Sequence, residues 1–185
     1  MAGSGMLLAA WRANPNPNPT AQQAENQVDS PWQNWLREDA VYIISDEEKA
    51  AFERLKTDEE RQQFVNQFWA RRDPNAGDPV GPFVSVQLTP RAEGIKKEHY
   101  RRIAYANQHF RTVSGTPGWR TDRGHMYIVY GPPDEIDSHP KKADRAYGIE
   151  MWRYRYVEGL GNNGAFTFID RTGGGDYHLA PVTGR

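Results

Sequence analysis

The hydrophobic period changes once along this chain, near Gly115, and that change decides the fold class. Ahead of Gly115, apolar side chains recur at three- and four-residue spacing, as one face of a helix requires. Ser30 before Pro31 reads as an N-cap followed by a first-turn proline, after which Trp32, Trp35 and Leu36 share a face. Ser45 with Glu48, and Thr57 with Glu60, fit capping boxes and predict helices over roughly 46–56 and 58–71. Phe52 and Leu55 line the first; Phe64, Val65, Phe68 and Trp69 line the second. Thr89-Pro90 opens a helix over about 90–110 whose Ile95, His99, Arg102, Ile103, Ala106 and Phe110 form one stripe. "VYIIS", residues 41–45, suits either a strand or a buried link.

Beyond Gly115 the period falls to two. "MYIVY" (Met126 to Tyr130), "IEMWRYRYV" (Ile149 to Val157), "AFTFID" (Ala165 to Asp170) and "YHLAPV" read as strands. In the second, Trp152, Tyr154 and Tyr156 alternate with Met151, Arg153 and Arg155, which assigns aromatics to the core face. "GLGNNG" is a hairpin signal and "RTGGGD" a second turn; such short turns join antiparallel neighbours. The pattern predicts an α+β domain, with N-terminal helices packed on a small antiparallel β-meander.

The length, 185 residues, fits one domain with an appendage. Residues 1–29 read as an extended Pro/Asn-rich tail, and 30–185 as the domain. A net charge of -1 argues against general nucleic-acid binding, which needs a basic field. The absence of cysteine removes disulfides, thiolate catalysis, Cys-based zinc sites and a lipidated N-terminal Cys. No apolar run approaches the roughly 20 residues that cross a bilayer, and "MLLAAW" is too short for a signal-peptide core.

The densest stretch is "PGWRTDRGHMYIVYGPPDEI", Pro117 to Ile136. Gly118 permits a positive φ or a close backbone approach, and Trp119 can plug a gap between the long helix and the sheet. The Thr121 hydroxyl or the Asp122 carboxylate can accept the N–H of Arg123 or Gly124, and Asp122 can reach Arg71 and Arg72. Gly131, Pro132 and Pro133 end the expected strand. Gly118-Trp119-x-Thr121-Asp122 resembles the motif of the GWxTD-domain proteins. "FWARRDP" (Phe68 to Pro74), "HYRRIAYAN" (His99 to Asn107), "TDRG" and "YGPPDEI" are similar to that family's blocks in the same order. The chain departs from the pattern at His125, where arginine is expected. The resemblance covers residues 32–180 and implies a bacterial domain of secreted or envelope proteins, without an established activity. A looser likeness, of shape alone, links Gly131-Pro132-Pro133, Trp152-x-Tyr154 and Phe166-x-Phe168-x-Asp170 to small lipoproteins of outer-membrane assembly.

Catalysis would need a base, a nucleophile or a metal cluster. His125, Asp122 and Asp134, with Glu135, Asp137 and His139 nearby, are the residues that could move protons or hold a divalent ion. Their spacing fits no helical ligand motif, and no two of the five histidines are four apart. "RTGGGD" lacks the lysine and helix of a phosphate loop. The sequence therefore points to a non-catalytic accessory or scaffold subunit without a cofactor. Its expected partners are other protein subunits of an envelope-side, membrane-associated complex such as a respiratory or photosynthetic one. Trp11, Trp32 and Trp35 are the expected contact residues. The alternative is a metal- or ligand-dependent enzyme centred on His125, Asp122 and Asp134.

Overall fold

The computed structural model describes residues 31–75, 87–143, 146–157, 159 and 161–181. The expected tail, with Trp11, and the Ser30 cap lie outside them. Helix α1, Pro31–Asn34, runs directly into a π-helical turn, Trp35–Asp39. Helices α2, Asp46–Glu53, and α3, Asp58–Ala70, start at the two expected capping boxes. In each, the Ser or Thr oxygen accepts the N–H three residues on, and the glutamate accepts the N–H of the cap. These elements close around Trp35, Phe52, Phe68 and Trp69; the Trp35 and Phe68 rings meet edge-on at 5.0 Å. "VYIIS" is a link, with Ile43 and Ile44 N–H groups both donating to the Ala40 carbonyl.

Helix α4, Pro90–His109, is capped by the Thr89 hydroxyl and buries Ala92, His99, Ile103 and Ala106 along one stripe. A 3₁₀ turn, Gly118–Arg120, leads into helix α5, Asp122–Tyr130. The strand expected over Met126 to Tyr130 is therefore helical. A five-residue apolar run does not separate a strand from a buried helix, and the deciding signal lies upstream, where Thr121 caps a helix that has already begun. Gly131, at φ +82°, ends this helix rather than a strand, and Pro132 and Pro133 follow it. The likeness to the outer-membrane lipoproteins, which required a strand before these residues, fails with it.

The sheet is a four-stranded antiparallel meander in the order β1-β2-β3-β4. Its strands are β1, Glu135–His139; β2, Gly148–Val157; β3, Gly161–Asp170; and β4, His178–Leu179. β1 is an addition to the expected set: its polar residues carry no period-two signal, as suits a charged edge. The β2–β3 turn lies between Val157 and Gly161, which pair, so the "GNNG" residues belong to β3. Trp152, Tyr154 and Phe168 face Phe110, Met126, Tyr127 and Ile128 in a second core. Tyr156, expected on that face, is 65% exposed because it pairs with Asn162 at the hairpin end of the sheet. The fold is α+β, with the helices first and the meander last. No helix among the described residues is long and apolar enough to cross a membrane.

Candidate functional site

The GWRTDRG stretch is built as a joint between backbones. A Cβ placed on Gly118 would lie 1.8 Å from the Ala106 carbonyl oxygen of α4, and one on Gly124 would lie 1.8 Å from the Gly118 carbonyl oxygen. The two glycines thus let the 3₁₀ turn touch α4 on one side and α5 on the other. Trp119 is buried in this joint, its N–H donating to Asn107 Oδ1 and its carbonyl accepting from the Tyr42 hydroxyl at 2.9 Å. It belongs to the core under the sheet, and its ring meets that of Tyr42 edge-on at 6.2 Å. The Thr121 hydroxyl accepts the Gly124 N–H at 3.1 Å, which settles the cap between the two candidates. Asp122 instead accepts the Leu179 N–H at 2.7 Å and so ties α5 to β4. Arg71 and Arg72 are held by Glu48, at 3.1 and 2.9 Å, and not by Asp122.

Two further polar centres are present: the first joins segments distant in sequence, and the second is local to the turn after β3. Arg123 lies over the Tyr177 ring, donates to the Gly175 carbonyl and forms a largely buried pair with Glu150 at 3.4 Å. Glu150 also accepts from the Trp152 indole at 2.7 Å. The glycine-rich turn wraps an internal carboxylate: Asp170 accepts the N–H groups of Thr172, Gly173 and Gly175. Burial alone would raise the Asp170 pKa, but those donors hold it below the ordinary carboxylate value.

The residues expected for the alternative enzyme centre make structural contacts. His125 stacks on the Tyr42 ring at 4.1 Å; partial burial pushes its pKa down, with Asp122 pulling the other way. Asp134 accepts both the backbone N–H and the Nε of Arg155, at 2.8 and 2.7 Å. Glu135 pairs across the strands with Arg153, and Asp137 with His139. These residues are mostly the charged outer face of β1 and β2. Among the described residues no group of three His, Asp or Glu side chains is placed to hold a metal ion. Of the aromatic contact residues, Trp35 is buried in the first core and unavailable to a partner, whereas Trp32 is half-buried and donates to Asp58.

A cleft of about 560 Å³ opens between α3, α4 and the end of α5. Its apolar lining comes from Ile43, Trp69, Ile95, Ile128 and Val129, and Gly94 leaves its middle open. Arg72, Arg91, Arg102, Glu98 and His99 supply the polar lining. Arg72 is fully engaged: it lies over the Phe68 ring and donates to the Phe68 and Ile43 carbonyls and to Glu48. Arg102 donates to the Ile128 and Val129 carbonyls, capping the end of α5, and pairs with Glu98 at 3.0 Å. Hydrogen bonds from Arg101 and Arg102 hold the Glu98 pKa down, to about 2. His99 bonds the Asp39 carbonyl through Nε2 at 2.6 Å; burial, aided by Arg102 and Arg72, pushes its pKa down, so it is neutral at pH 7. Three arginines thus line an apolar floor, Arg102 paired with Glu98 inside the cleft and Arg72 and Arg91 with Glu48 and Asp73 beside it.

The cleft draws Trp69 and Arg72 from "FWARRDP" and His99 and Arg102 from "HYRRIAYAN", two blocks that the sequence singled out without showing that they meet. A family model for the GWxTD domain matches residues 27–179. No curated protein and no solved structure matches the chain.

Proposed function

We propose that this chain, which belongs to the GWxTD-domain family, acts as a non-catalytic accessory or scaffold subunit of an envelope-side protein assembly. The observation that carries this reading is the open, arginine-lined cleft between α3, α4 and α5. An apolar floor with a few convergent polar groups is the general form of a binding site. Arg72 and Arg102 are engaged in holding the helices and the link together, and His99 is tied to a backbone carbonyl. The envelope-side placement follows from what the family resemblance implies.

Gly94 provides the test. A Cβ there meets nothing within 4 Å, so a side chain can start at Gly94 without a clash, and Gly94→Trp places bulk in the cleft. The full chain and its Gly94→Trp variant would be cross-linked in the native membrane fraction, and recovered complexes compared by mass and stoichiometry. A defined subunit recovered with the wild type and lost with Gly94→Trp supports the proposal. A chain recovered alone, with a turnover that His125→Ala abolishes in a folded protein, replaces it with the enzyme reading.

A further inference from the structure

We propose that the cleft seats an acidic segment of a partner protein, an apolar side chain flanked by carboxylates; this rests on the binding-module reading above. Arg91, Gly94, Ile95, Glu98, His99 and Arg102 all line the cleft from α4. They occupy one continuous stripe of a helix, at the spacing i, i+3, i+4, i+7, i+8 and i+11. From Arg91 to Arg102 the helix rises about 16 Å, at about 1.5 Å per residue. That is the length of about five extended residues or three helical turns. A cation stands at each end and apolar surface lies between, so a segment spans the cleft where a small anion reaches one end only.

The charge selects the partner. Counting the side chains paired to the lining, five arginines (Arg71, Arg72, Arg91, Arg101 and Arg102) share three carboxylates (Glu48, Asp73 and Glu98), in a chain whose net charge is -1. Among the described residues the Arg91 guanidinium meets one carboxylate, Asp73, at 3.5 Å through Nε, and its side chain is 58% exposed. Its Nη fork has the planar geometry that receives a carboxylate in two parallel bonds. Arg72 and Arg102 are tied to backbone carbonyls and paired with Glu48 and Glu98, and each of those carboxylates is shared with a second arginine, Arg71 and Arg101, so arginines outnumber carboxylates around the cleft.

The experiment is selection of a random twelve-residue peptide library, displayed on phage, against the full chain. Wild type, Gly94→Trp and Arg91→Glu would be compared, with thermal melts establishing that each is folded. The expected result is enrichment of sequences with Asp or Glu on both sides of Leu, Ile, Phe or Trp. Affinity for the recovered peptides should fall at least about tenfold in each variant, and fall with added salt in the wild type. Enriched peptides without acidic residues, lost on Gly94→Trp, overturn the charge assignment and leave the binding-module reading standing. Acidic peptides that bind Gly94→Trp as well as wild type overturn the cleft as their site. A dimer seen in sedimentation and lost on Gly94→Trp makes a second copy the occupant and overturns the proposal. No enrichment at all overturns this inference, while the cross-linking comparison still decides the reading beneath it.

Discussion

At Gly118 and Gly124 one methyl group separates a fold from a collision. Gly118→Ala or Gly124→Ala sets carbon 1.8 Å from a backbone carbonyl oxygen, and backbone cannot turn aside as a side chain does. Each should cost about 3 kcal/mol or more in urea denaturation. Gly94→Ala is the opposite case: its Cβ meets open space within a helix, and a gain of about 0.5–1 kcal/mol is expected. Glu98 sets a pH dependence. Its carboxyl has a pKa of about 2 in the folded chain, against 4.5 without its arginine partners. The unfolded chain therefore binds the proton more readily between these values. The stability that Glu98 contributes is complete above about pH 4.5 and is lost as pH falls towards 2. Wild type and Glu98→Gln, unfolded side by side from pH 6 to pH 2.5, should converge at the acid end; a constant gap would contradict the assignment.

Elements were legible where a cap announced them. Ser45, Thr57 and Thr89 each mark a helix start correctly, because a hydroxyl three residues before a bonded N–H is a local geometry that local sequence can carry. Helix α5 was misread because its apolar run was judged by composition, while Thr121, its true start, was judged only as a turn. Strand β1 was missed because an edge strand paired through Glu135 and Asp137 has no apolar alternation to show. The cleft was invisible for another reason: its two arginine-bearing blocks are adjacent only once α3 and α4 pack. Two substitutions separate the roles at the start of α5. Thr121→Ala removes the cap and should cost about 1 kcal/mol, with Thr121→Ser restoring most of it. Asp122→Ala leaves the cap but frees the Leu179 amide, so hydrogen exchange there should accelerate while the α5 amides stay protected.

The described residues form two cores, one within the N-terminal helices and one under the sheet, and Tyr100 packs against both. Glu48 ties the end of α3 to the start of α2 through Arg71 and Arg72, and Arg72 also grips the link at Ile43. Glu48→Gln should therefore lower the melting midpoint by a few degrees, with exchange accelerating in α2 and α3 before the sheet; uniform acceleration would show that the cores melt as one. The glycine joint has a consequence for how such chains are grouped. Its letters record where three backbones touch, a demand that any ligand leaves unchanged. A search keyed on them therefore sorts proteins by architecture. Kinship read from GWxTD is thus a statement about shape, and the stripe from Arg91 to Arg102 lies outside its letters.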